Sequence, residues 1–203
     1  MTGLAERLRR SFAANPDVDE SPFIPHPELA MDGVALTPAA VLVPIIDAAQ
    51  PRVLLTVRHA GLRSHAGQVA FPGGRLDPSD DGPVAGALRE AWEEVGLPAE
   101  LVDIVGSARP YATGSGYLIT PVVGVIPEGL ELTPHEAEVD GLFDVPLEHL
   151  LAEVNHLRKT ATYEGVERHY YEIDWPYERI WGVTAGLIVN LAPRLRDAIG
   201  SSA

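Results

Sequence analysis

The sequence predicts one compact mixed α/β domain, and three observations lead there. Val- and Ile-rich runs of strand length alternate with segments of helical period. One segment, Pro83–Val95, has both a helix start and a helix stop written into it. No repeat, linker or low-complexity tract divides the 203 residues, whose 46% apolar and 22% charged content suits a chain that buries a real core.

Residues 4–14 predict a short amphipathic helix, followed by an irregular segment over 15–37 carrying Pro16, Pro22, Pro25 and Pro27. Residues 1–37 are thus expected to form a helical and irregular extension, and residues 38–203 the main domain. Ala39–Ile46 predicts a buried strand, Arg52–Val57 its neighbour, and Gln68–Phe71 a further short strand. An acidic loop, Asp77 to Gly82, then leads into the helix at Pro83–Val95. Asp81 or Gly82 can cap that helix, Pro83 suits its first turn, and Gly96 and Pro98 end it. Strands follow at Val102–Ser107, at Leu118–Val125 with a break at Pro121, and at Gly141–Val145, before a short helix at Leu147–Ala152. Asn155–Tyr163 and Val166–Ile173 predict a hairpin around Glu164-Gly165. Thr184–Ile199 predicts a closing helix that Pro193 should kink or break.

Composition excludes several classes of function. There are no cysteines, which removes disulfides, thiolate catalysis and Cys-based zinc sites. No apolar run approaches the roughly 18–20 residues that span a bilayer, and Met1–Arg10 lacks the apolar stretch of a signal peptide. The default expectation is a cytoplasmic location without a membrane partner. A net charge of −14 repels nucleic-acid phosphates, so no nucleic-acid partner is expected. It repels small anions too, so any phosphate ligand needs a metal ion and local arginines to reverse the field in one cleft.

The helix at 83–95 supplies such a place. Glu90, Glu93 and Glu94 stand at i, i+3 and i+4, sharing one face within about 100°. Ionised carboxylates this close repel one another unless a cation sits among them, and carboxylate oxygens are the ligands Mg²⁺ or Mn²⁺ prefers. Arg89, four residues before Glu93, can brace that carboxylate. A solvated acidic face is the competing reading of the helix alone. Upstream, Gly73-Gly74 follows a strand and lets backbone approach a ligand closely, which together with the helix outlines a diphosphate cleft.

The run from Gly74 through Arg89-Glu90-Ala91-Trp92-Glu93-Glu94-Val95-Gly96-Leu97 resembles the Nudix box, G-x5-E-x7-R-E-U-x-E-E-x-G-U, with U a bulky aliphatic residue. Ala91 departs at the first U of its second half. The gap from Gly74 to Arg89 is one residue longer than usual, and Asp77, Asp80 and Asp81 replace the mid-loop Glu, with Asp80 at the nominal offset. Upstream, Leu54-Leu55-Thr56-Val57-Arg58 through Arg63, Gly67, Phe71-Pro72-Gly73-Gly74 resembles the signature L-L-T-x-R-[S/A]-x3-R-x3-G-x3-F-P-G-G of coenzyme A diphosphatase-type members; only His59 departs.

The resemblance implies the Nudix fold, a mixed β-sheet sandwiched between helices, and a Mg²⁺- or Mn²⁺-dependent hydrolase. It assigns Glu90, Glu93 and Glu94 to the metal, and Arg89 to orienting them. Glu93 or Glu94 of the box, or Glu138 on a later loop, would take the proton of the attacking water. Arg58 and Arg63 are expected to grip substrate phosphates, because a guanidinium matches phosphate oxygens with two prongs. Gln68, Gly73 and Gly74 complete the expected substrate contacts. His59 and His65 are read as surface or packing residues, and Pro110–Tyr117 as cleft lining or an ordinary turn. The implied reaction cleaves the diphosphate of coenzyme A or a derivative into 3′,5′-ADP and 4′-phosphopantetheine or its acyl form. ADP-ribose, dinucleotides and nucleoside diphosphate sugars are the alternative substrates, and a non-catalytic binding module the alternative class. The expected partner is this small molecule, and a homodimer is left open.

Overall fold

Strand β1 (Thr37–Asp47) is apolar on both faces, and the fold follows from how each face is covered. The computed structural model describes residues 3–14, 35–163 and 166–200. With the strand period of two, Ala40, Leu42 and Ile46 join one core, while Val41, Val43 and Ile45 join the other. β7 (Tyr117–Pro127) lies parallel to β1 along its whole length, from Thr37 opposite Tyr117 to Asp47 opposite Pro127. β2 (Arg52–Arg58) turns back antiparallel to the end of β1 and pairs in turn with β3 (Val69–Ala70) and β8 (Val139–Pro146). β4 (Gly73–Arg75) pairs with the start of β1, and β5 (Asp103–Ser107) and β6 (Tyr111–Ala112) pair with β7. Among the described residues this makes one eight-stranded mixed sheet.

Helix α2 (Gly82–Val95) covers one face. Its Ala87, Ala91 and Val95 pack with Leu42, Leu54, Leu97, Val122 and Ile126. The opposite face is covered by α1 (Leu4–Ala14) and α4 (Gly182–Gly200), through Leu4, Leu8 and Phe12 and through Leu187, Leu191 and Leu195. The expected sandwich is the one observed. The short α3 (Leu147–Leu151) closes the same core. A second sheet, β9 (His156–Tyr163), β10 (Val166–Ile173) and β11 (Ile180–Trp181), is antiparallel and leads the chain into α4. No helix of the described residues is long and apolar enough to cross a membrane.

Two expected proline breaks are corrected. Pro121 does not break its strand, because it falls where β6 pairing ends at Ile119 and β5 pairing begins at Val122, so no ladder N–H is needed on that side. Its carbonyl accepts from Ala108 N at 2.9 Å. Pro193 does not break α4 either, which runs on through it to Gly200. The buried flanks Leu191, Ala192 and Leu195 hold the helix together despite the missing N–H. The irregular segment expected over 15–37 lies outside the described residues as far as residue 34, as does the Glu164-Gly165 turn.

Candidate active site

Helix α2 begins after Asp81, whose side chain makes no capping bond, and ends at Gly96, where φ is 68°. This left-handed position suits glycine, and its N–H bonds Trp92 O at 2.9 Å. With Ala87, Ala91 and Val95 committed to the core, Arg89, Glu90, Glu93 and Glu94 are left along the flank of the helix that faces β4 and solvent.

Arg89 is the hub of that flank. Its Nε and Nη2 donate to the two oxygens of Asp80, each at 3.0 Å, as a two-pronged fork. Its Nη1 donates to Glu90 Oε1 at 2.9 Å and Glu93 Oε2 at 3.0 Å, and its Nη2 also reaches Arg75 O at 3.0 Å. The fork bonding to Arg89 holds the Asp80 carboxyl below its usual range, with help from the Asp77 N–H. Asp80 therefore braces Arg89 from the loop position where the motif ordinarily has glutamate.

Glu94 is only 3% exposed. It accepts from Gly73 N at 3.0 Å, and Arg58 Nη1 lies 3.6 Å from its other oxygen. Burial pushes its carboxyl up to about 7, against the lowering influence of Gly73 and Arg58; the charges of Glu90 and Glu138 add to the rise. Burial raises Glu90 as well, opposed by Arg89, with Glu93 and Glu138 pushing the same way as burial. Glu138, beside His135 at 3.4 Å, is thus brought within electrostatic reach of the Glu90 and Glu94 carboxyls, whereas Glu93 is half exposed. At Gly74 a Cβ would stand 2.6 Å from the Glu90 carboxyl atoms, so glycine is what lets that carboxyl lie against the strand.

On the other face of the sheet, a cavity of about 400 Å³ opens beside the same glycines. Val41, Phe71, Ile119 and Leu187 form its apolar part; Arg58, Gln68, Gly73 and Gly74 contribute from the expected substrate set. Arg63 does not line it and is exposed on the loop after β2. That loop is pinned through His59, whose N–H donates to Glu138 O at 2.8 Å, and through Ala60 N, which donates to Asp140 at 2.7 Å. His65, left-handed at φ 57°, lines the cavity with its Nδ1 3.0 Å from Gln68 Oε1. Thr113, Ser115 and Tyr117 line the mouth, so the Gly-rich segment is cleft wall. Arg75, Trp181 and Thr184 also line it and were not singled out from the sequence.

The donors here are carboxylate oxygens, the chemistry of a hard dication, and they are crowded enough that a cation would relieve them. Glu90 and Glu94 are the best placed to hold one, with Glu93 at the rim. Among the described residues no three His, Asp or Glu side chains close into a ready-made cage. Such a site suits an ion that keeps water or substrate oxygens in its shell.

A helix of carboxylates, braced by one arginine, thus lies against a glycine strand, and comparison with known proteins shows the family. The family model described as NUDIX domain matches residues 36–165, and the chain belongs to the Nudix hydrolase family, whose members act on diphosphate bonds. It is 45% identical over 158 residues to a Photorhabdus laumondii protein described as "Uncharacterized Nudix hydrolase NudL", covering 78% of this chain and 84% of that one. A Yersinia pestis protein of the same description is 43% identical, covering 77% of this chain and 79% of the relative. Among solved structures, the Nudix hydrolase RenU from M. smegmatis aligns with TM-score 0.48 and 28% identity over 56% of this chain and 72% of its own.

Proposed function

We propose that this chain hydrolyses the diphosphate of coenzyme A, or of an acylated or oxidised form, to 3′,5′-ADP and 4′-phosphopantetheine or its derivative, with Mg²⁺ or Mn²⁺ as cofactor. The observation that carries the reading is the shared wall: Gly73 and Gly74 border both the carboxylate cluster and the cavity. A diphosphate lying along these glycines places its phosphorus atoms by Glu90 and Glu94 and one organic arm in the cavity. The Arg58-to-Gly74 signature, similar to that of coenzyme A diphosphatase-type proteins, supports the substrate.

Glu90, Glu94 and Glu93 would hold the metal, which when bound neutralises diphosphate charge and acidifies water. Arg89 keeps Glu90 and Glu93 in register, with Asp80 fixing its guanidinium, while Gly73 N and Arg58 hold Glu94. Arg58 offers a guanidinium to the phosphate oxygens, sharing it with Glu94 in the free protein. Water adds to one phosphorus, the bridging oxygen leaves with the other phosphate, and Glu138 takes the water's proton.

The test is kcat/KM on coenzyme A, dephospho-coenzyme A and ADP-ribose with Mg²⁺ and Mn²⁺. Preference for the coenzymes is expected. A strong preference for ADP-ribose would overturn the substrate, and inactivity on the whole panel would favour a binding module.

A further inference from the structure

The cations around the site differ in what they are bound to. Arg89 is committed to Asp80, Glu90 and Glu93, and Arg58 leans on Glu94. Arg75, at the cavity mouth, pairs with no carboxylate among the described residues. Its Nε and Nη2 both donate to the Tyr117 hydroxyl, at 3.2 and 2.8 Å, and its guanidinium lies 5.5 Å over that ring. Since a guanidinium carries five N–H donors, this leaves three unused among the described residues. The cation sits at the hydroxyl edge of Tyr117, so there the pair presents charge to an incoming group. In a chain of net charge −14, a cation with no acid partner among the described residues, at the edge of a cavity, is a place for an incoming anion.

The pleat of β4 decides which part of the substrate this anion belongs to. A side chain at position 74 would run into Glu90, on the α2 side. Alternation therefore sends position 75 to the opposite side, where Arg75 lines the cavity. The scissile diphosphate lies by Glu90, Glu94 and Arg58, so Arg75 meets the organic arm instead. Its backbone is held independently, opposite Ala39 in the sheet and with its carbonyl accepting from Arg89 Nη2.

We propose that Arg75, steadied by Tyr117, determines specificity by binding a phosphate monoester carried on the organic arm of the diphosphate substrate. The inference rests on the diphosphate-hydrolase reading above and adds the chemical feature that the cavity selects. A dianionic monoester offers the fork of a guanidinium two oxygens, which a neutral hydroxyl at the same place cannot.

The experiment compares ligand pairs that differ by this one phosphate. Calorimetric binding of 3′,5′-ADP and 5′-AMP, without metal, reads the site independently of turnover; kcat/KM on coenzyme A and dephospho-coenzyme A reads it in catalysis. The wild type is expected to favour the extra phosphate by about 10- to 100-fold, the range of a charge-assisted hydrogen-bonded contact. Arg75→Gln should bring both ratios to within about 3-fold of unity, mainly through KM, and Arg75→Lys should restore part of the preference because it keeps charge without the fork. Arg75 is exposed, and an unchanged thermal midpoint verifies that each variant is folded. A wild type indifferent to the extra phosphate overturns the assignment, as does an Arg75→Gln protein that weakens both members equally. A wild type that prefers ADP-ribose to both coenzymes overturns the proposed substrate instead, and the binding ratio still decides the role of Arg75.

Discussion

On the α2 side of β4, Asp80, Arg89, Glu90 and Glu93 are bound into one ionic network, with Glu94 buried beside it against Gly73 and Arg58. On the cavity side, Arg75 rests on a tyrosine and has no acid partner among the described residues. Three consecutive residues, Gly73, Gly74 and Arg75, separate these regions. The difference teaches how an acidic protein can receive a phosphate-rich ligand. Negative charge is concentrated where a cation can sit, and positive charge is left free one strand position away, where a ligand's own anion can land.

The largest expected effect breaks the acidic side alone. Glu94→Gln keeps the shape and can still accept from Gly73 N, but removes the charge. Diphosphate turnover should fall roughly 10²–10³-fold, the scale of losing one preorganised charge-stabilising contact, while the thermal midpoint holds or rises because a buried ionisable group is gone. Turnover within about 3-fold of wild type, a difference too small for a catalytic contact, would remove Glu94 from the site.

The adjacent glycines sharpen the comparison. The atoms nearest a Cβ at Gly74 are the end of the Glu90 side chain, at 2.6 Å, whereas a Cβ at Gly73 meets backbone, 2.4 Å from Ala40 O and 2.6 Å from Val41 Cα. Gly74→Ala should therefore cost activity, about 10- to 100-fold as for a displaced ligand-positioning group, with little loss of stability. Gly73→Ala should cost about 1–3 kcal/mol of stability by overpacking. Denaturant unfolding and turnover measured on both variants separate the two; equal behaviour would mean that the glycines share one role.

The smallest effect is a pH dependence. Burial raises Glu94 from 4.5 to about 7, so between these values the folded protein binds a proton that the unfolded chain has released. Stability contributed by this group is present below the unfolded value and is lost as pH rises through the folded one. In metal-free buffer the wild-type midpoint should fall relative to Glu94→Gln across that window. Metal binding needs the ionised carboxylate, so added Mg²⁺ should stabilise the wild type more above the window than within it. A midpoint difference that stays flat with pH would mean that Glu94 is not titrating there.

Much of the acidic side is legible in the sequence because it is local. Spacing alone puts Glu90, Glu93 and Glu94 together and gives Arg89 its contact with Glu93, and the motif offset points to Asp80. The cavity side is not local. Arg75 and Tyr117 are 42 residues apart, and an arginine after two glycines looks like any surface arginine until the strand's pleat is known. Arg58 and Arg63 look equivalent in the motif. The β2 strand carries Arg58 to Glu94 and the cavity, while the loop leaves Arg63 exposed. Pro121 and Pro193 mislead for a similar reason, since only the neighbours decide whether a missing N–H matters.

By itself, then, the sequence determined the helix, its stop at Gly96, the spacing of its carboxylates and the buried strand over Ala39–Ile46, all of which depend on residues within a few positions of one another. The tertiary structure alone decided that Glu94 is desolvated, that Arg58 leans on it, that Glu138 comes into reach and that Arg75 has a cavity to face. Desolvation and charge pairing depend on which atoms fill the surrounding space, and here those atoms come from strands and helices far apart in the chain.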